Sequence, residues 1–310
     1  MTRRNVIAVI AGLVLLLGVP TSAGADEIKQ KFDSLFVIAS SGEVMFRDMV
    51  EPAKDSIAAM GVEVVPLLID KFTTKSAGER WTVLNVLTRI GSPAVPDLVR
   101  ALKRSDGLVV ERVCWALGDI KDSAAADPLI EVRNHPRWQV RDQAIGALGK
   151  IGESRAAPVA VEALTDSIGE VRKAAAVSCG QLQTDESIKL LVHLLGDDFY
   201  GARMTALESL LKLDTGLVVM TLTDSITSDN KLVGDLACHI MGQLGTSPGI
   251  SILLTQAQAN DPSRRAHAVT ALTRSAGEVG ATIGRFFAER EPDRLTRLKM
   301  SSAADAVSHE

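Results

Sequence analysis

Val140-Arg141-Asp142-Gln143-Ala144-Ile145-Gly146-Ala147-Leu148-Gly149-Lys150-Ile151-Gly152 is the stretch that decides the fold. Ala144, Ile145, Leu148 and Ile151 fall on one face of a 3.6-residue helix, and Gly152 supplies a stop signal. The phrase Ala147-Leu148-Gly149-Lys150-Ile151 repeats Ala116-Leu117-Gly118-Asp119-Ile120 at a spacing of 31. In that register Leu87, Leu117, Leu148, Cys179, Leu210, Met241 and Leu272 form one column. Seven residues earlier a second column reads Arg80, Val110, Arg141, Arg172, Arg203, Gly234 and Arg265. With this arginine slot as position 0, positions +3, +4, +7 and +10 are apolar in 27 of 28 cases, Ser275 being the exception.

A second helical stripe follows within each unit, as in Ala94 to Leu102 and Ile188 to Leu195, with Gly91, Gly152 and Gly245 at the reversals. Each unit is therefore a helical hairpin. One hairpin of about 31 residues cannot bury both stripes, but a stack of them shares a continuous core. The expected fold is all-α: a superhelical α-solenoid of about eight stacked hairpins. A degenerate unit, with Val50 in the slot, precedes the seven, and Ile28 to Ala39 reads as a cap helix. The expected organisation is 1–25 signal peptide, 26–45 cap, 46–292 solenoid and 293–310 polar tail. Joints such as Ser105-Asp106-Gly107, Thr165-Asp166-Ser167 and Asn260-Asp261-Pro262 offer helix N-cap residues.

Composition agrees. The 310 residues are 46% hydrophobic and 23% charged, which excludes general disorder, and only 4% are aromatic. A net charge of −4 without a long run of either sign leaves no electrostatic footprint for nucleic acid. Arg3 and Arg4 precede an apolar stretch from Val6 to Val19 and a small-residue run ending at Ala25, the pattern of a secretory signal peptide. At 14 residues the stretch falls short of the roughly 20 needed to span a bilayer, so no membrane span is expected after cleavage.

Val140-Arg141-x-x-Ala144-Ile145-x-Ala147-Leu148-Gly149-x-Ile151-Gly152 followed by Ala157-Pro158, together with Val171-Arg172-Lys173-Ala174-Ala175-Ala176, resembles the HEAT-like repeat of the phycobilin-lyase type. The resemblance spans about residues 45 to 290. It implies that the slot arginines tie neighbouring units together and that the Val-Arg helix lines a concave surface. Deoxyhypusine hydroxylases, which share the architecture, place an iron pair on His-Glu dipeptides; here the only such dipeptide is His309-Glu310, in the tail. Phycobilin lyases work inside photosynthetic cells, which a secretion signal contradicts.

No catalytic, cofactor-binding or metal-binding residue stands out. Among the histidines, His239 stands four residues after Asp235, a weak combination for which a surface contact is the better reading. Cys114, Cys179 and Cys238 occupy core columns two units apart, which reads as three buried thiols. The remaining constellation is aromatic. Positions −3, −2, +1, +2 and +5 of the first helix should face outward, and Trp81, Trp115, Trp138 and Tyr200 all occupy them. These rings either complete the packing of an alanine-rich helix or, with Glu111, Arg112, Asp142 and Gln143, form a docking strip for a protein or peptide. The functional expectation is an exported, non-enzymatic scaffold that binds a protein or peptide in its concave groove. The alternatives are an accessory or maturation factor holding a substrate protein, and a structural spacer in the cell envelope.

Overall fold

The structure is a computed structural model that describes residues 24–228, 230–275 and 277–307. The signal segment as far as Ala23, and His309-Glu310, lie outside the described residues. The fold is an α-solenoid of stacked helical hairpins, all-α among the described residues. These fall into two compact units divided between Ala94 and Val95.

The first unit contains α1 (Ala25–Ala39), α2 (Val50–Ala58), α3 (Val65–Lys71) and α4 (Ala77–Ile90). Phe32, Phe36, Ile57, Leu68, Phe72, Leu84 and Leu87 form its core. The rings of Phe32 and Phe36 stack at 5.4 Å, and the Lys71 ammonium lies 5.0 Å from the Phe36 ring centre. Arg89 of α4 reaches Glu51 and Asp55 of α2, tying the first helices of two successive layers. Gly91 ends α4 at φ +72° and ψ −144°, a conformation open to glycine and the reason a permissive residue is needed at this reversal.

In the second unit the first helices are α6 (Gly107–Ile120), α8 (Trp138–Ile151), α10 (Gly169–Leu182), α12 (Tyr200–Leu210), α14 (Lys231–Leu244) and α16 (Pro262–Ser275). The second helices are α5 (Val95–Ala101), α7 (Ala126–Glu131), α9 (Ala157–Ala163), α11 (Ile188–Leu194), α13 (Thr215–Ser225), α15 (Ser247–Gln256) and α17 (Gly277–Arg290). A last helix, α18 (Arg294–Val307), corrects the expectation of a polar tail from Asp293. It packs on α16 and α17 and buries Met300, Ala303 and Ala304. Its buried residues are few and mostly small, and Leu295 and Leu298 on its other side are exposed. Arg297 continues the arginine slot, 32 residues after Arg265.

Two ties join the layers. In the first, a slot arginine grips the loop that begins the next layer. Arg141 donates from Nε and Nη2 to the Asp166 carboxylate at 2.7 and 2.8 Å, and from Nη1 to the His135 carbonyl at 3.0 Å. Arg172 repeats this with Asp197 and the Asp166 carbonyl, and Arg265 with Glu291 and the Ala259 carbonyl. Asp166 and Asp197 also accept the N–H two residues on, from Ile168 and Phe199. The chain Arg141–Asp166–Arg172–Asp197 is thus a continuous polar ladder, and the structural role expected of these arginines holds. Where the slot is Val110 or Gly234, the residue 25 positions later is His135 or Ala259, so the acid vanishes together with the arginine.

The second tie is close approach at position +8. A Cβ on Gly118 would sit 2.8 Å from the Cα of Ala147; one on Gly149 would sit 2.8 Å from the Cα of Ser178; one on Gly242 would sit 2.8 Å from the Ala271 carbonyl. The facing residue is at +6 of the next first helix, a column that is buried throughout although the 3-4-7-10 reading omitted it. Ser178 and Ser209 in that column donate to the Ile145 and Ala176 carbonyls of the preceding layer at 2.8 and 2.7 Å. Helices brought this near by small residues gain dispersion contact and seat polar cross-links that larger side chains would hold apart.

Gly118→Leu therefore costs about 2 to 3 kcal/mol in chemical denaturation, the range for overpacking a core. Gly146→Ala, with open space around the new Cβ, stabilises by up to about 1 kcal/mol through helix propensity. For Asp166, burial pushes the pKa up, but the Arg141 fork and the Ile168 N–H outweigh it and hold the carboxyl below the usual 3.8. The resulting stabilisation is complete above pH 3.8 and fades as the pH falls through the lower folded-state value. Asp166→Asn should lower stability by about 2 kcal/mol at pH 7, and the difference from wild type should close in acid, as read from denaturation midpoints.

Candidate functional site

In the second unit the first helices turn the residues at −3, +1, +2 and +5 to the side opposite their core columns. Trp115 sits on α6, Trp138 opens α8 and Tyr200 opens α12. Tyr200 is 65% exposed, while Trp115 and Trp138 are half-buried. Trp81, 59% exposed, belongs to α4 of the first unit. The outward rule fails at three positions. Thr82, Thr205 and Ala266 are buried, because a small side chain at +1 or +2 sinks into the seam where a tryptophan or arginine cannot. Thr82 donates to the Ala39 carbonyl at 3.1 Å and so fastens α4 to the end of α1.

The polar residues expected beside the rings form a fixed lattice. Glu111 of α6 accepts from Nε and Nη2 of Arg137 at 3.2 and 2.9 Å, which places the guanidinium at the start of α8 beside Trp138. Gly107 makes room for that arm, since a Cβ there would meet Arg137 Cδ at 3.0 Å. In the fourth and fifth layers the same place is taken by Phe199, seated against Gly169 and Gly201. Gln143 donates to Asp142 at 2.9 Å. Burial pushes the Asp142 carboxyl above its usual range; Glu111 and Glu170 add to the rise, against the Gln143 hydrogen bond and Lys173. Arg112 is half-buried on α6. Tyr200 carries the Arg203 guanidinium 5.4 Å from its ring centre, a cation–π contact that orders the phenol.

Sequence reasoning paired Asp235 with His239, but the structure pairs it with His267. Asp235 Oδ1 lies 2.6 Å from His267 Nδ1 across the gap between α14 and α16. The separation of 32 residues is one repeat plus one, so the 31-residue period contained this pairing and the search for i, i+4 partners passed over it. His239 instead has its pKa lowered by burial and by Arg274. Cys114, Cys179 and Cys238 are buried free thiols, each pushed up to about 12, chiefly by burial. Among the described residues no group of three His, Cys, Asp or Glu side chains is placed to hold a metal ion. No helix there is long and apolar enough to cross a membrane.

Comparison with known proteins places HEAT repeats at residues 65–136 and 126–211. No curated protein matches. Among solved structures, the chain is similar to YibA of Escherichia coli, at 18% identity over 79% of this chain and 92% of that one, with a TM-score of 0.50. Human deoxyhypusine hydroxylase in complex with glycerol matches at 18% identity, covering 84% of this chain and 100% of its own, with a TM-score of 0.36. The CpcE–CpcF complex of phycocyanin lyase from a Nostoc species matches at 16% identity over 78% and 94%, with a TM-score of 0.40. At these identities the likeness concerns the fold alone.

Because Asp142 holds its proton more tightly folded than unfolded, its charge works against the native state at neutral pH. Asp142→Asn should raise the denaturation midpoint at pH 7. The gain should shrink as the pH falls and vanish below about 3.8, where both states bind the proton; a gain that persists unchanged at pH 3 contradicts the assignment.

Proposed function

We propose that this HEAT-repeat chain is an exported, non-enzymatic scaffold that docks a protein or peptide partner along the outward side of its first helices. The observation that carries the reading is the ring-bearing face of the second unit. Trp115, Trp138 and Tyr200 stand at or near the surface, with charged groups between them already held by Arg137–Glu111 and Gln143–Asp142 bonds. Aromatic side chains lose little entropy on docking and supply large contact area, and pre-ordered polar neighbours reduce the cost further. Trp81 extends the same chemistry on the first unit.

A strip of side chains spread over several layers of the second unit suits an extended segment or a helix better than a small metabolite, which calls for an enclosed pocket of about 300 Å³ or more. Export is supported by Arg3, Arg4, the apolar stretch to Val19 and the small residues before Asp26. Cleavage after Ala25 removes Gly24 and the first residue of α1 but keeps Phe32, Leu35, Phe36 and Ala39, the residues by which α1 is buried. An exported setting also fits three thiols withdrawn from solvent.

The test is crosslinking capture from the periplasmic or secreted fraction with the mature chain as bait, comparing wild type with Trp115→Ala and Trp138→Ala. Both variants should keep the wild-type helical content with a stability loss of no more than about 1 kcal/mol, as for partly exposed positions, and lose the captured partner. Variants that unfold while the partner still binds the folded fraction would assign the indoles to seam packing instead.

A further inference from the structure

We propose that the joint between α12 and α14 is the compliant joint of the second unit, where residues 95–226 and 230–307 move as two bodies. Three observations meet there. First, α12 and α14 barely touch, whereas α6 with α8, α8 with α10, α10 with α12 and α14 with α16 pack along their lengths.

Second, the pair that elsewhere brings first helices together is replaced. Position +8 of the fifth layer is Leu211 and position +6 of the sixth is Ile240, in place of the Gly118–Ala147, Gly149–Ser178, Gly180–Ser209 and Gly242–Ala271 pairs. Two large side chains cannot occupy the space of a glycine facing a small residue, so the helices stand apart. Third, α12 stops at Leu210, whereas α6, α8, α10, α14 and α16 each run 14 residues, so the turn that would carry the contact is missing.

Packed interfaces yield at discrete weak joints instead of bending evenly, so loss of the close approach at this one joint concentrates motion there. Motion at this joint changes the spacing between Tyr200 on one body and Leu232, Asp235 and His267 on the other. The outward face is thereby adjustable in one place and rigid on both sides.

Position +9 is exposed in successive layers at Lys150, Gln181, Lys212 and Gln243, and the native cysteines are buried, so introduced cysteines there can be spin-labelled selectively. Labels at 181 and 243 span the compliant joint; labels at 150 and 212 span the same number of layers through tight joints only. Both pairs sit about 16 to 20 Å apart from helix packing, within reach of pulsed dipolar spectroscopy. The account expects a distance distribution for 181/243 at least about twice as wide as for 150/212. Equal widths, whether both narrow or both broad, overturn it. Lys212 lies just past the end of α12, which biases the comparison against the proposal, since local label freedom widens the reference pair.

Discussion

A helical hairpin of about 31 residues has two apolar faces and only one partner within itself, and everything else in this protein follows from that shortfall. The second helices are mostly six or seven residues long, too short to hold a layer on their own account. The longer first helices carry the stack, and they can do so only where their backbones come close. The glycines at +8 and the small residues at +6 set that distance, and the serines at 178 and 209 turn it into hydrogen bonds across layers. The arginine ladder runs beside it. Each fork satisfies a carboxylate that also accepts a loop N–H just ahead of the next helix, so the charge is never left alone in a half-buried joint.

This division of labour frees one side of each first helix. The core columns and the layer contacts use up the inner positions, and the outward positions carry indoles, a phenol and a set of carboxylates with assigned partners. A repeat stack of this kind has stability distributed over many similar joints. Its surface residues can therefore specialise for recognition without cost to the fold, which is why architecture here says little about partner. Asp235 and His267 approach each other across two layers on this same surface.

Much of the architecture was legible in the sequence because the repeat amplifies it. One hairpin gives an ambiguous pattern, but a column such as Leu87 to Leu272, followed through seven layers, does not. The slot arginines were legible for the same reason, and so were the left-handed stops at Gly152 and Gly245. Lys121 and Gln183 adopt that same conformation without being glycine, which no residue rule announces. Helix α18 was missed because Met300, Ala303 and Ala304 bury too little apolar surface to stand out from a polar background. The outward placement of Trp115, Trp138 and Tyr200 followed from phase alone, but the degree of burial of each ring depends on neighbours in the next layer, such as Arg137 and Arg203. The sequence register locates those neighbours without giving their rotamers.

The central claim, that contact between first helices holds the stack, is tested most directly by amide hydrogen exchange resolved along the chain. The account predicts the slowest exchange at the centres of α6, α8 and α10, where glycine and small-residue contacts are tightest, and markedly faster exchange in α7, α9 and α11 of the same layers. Protection that is equal in the two sets, or greater in the short second helices, would contradict it.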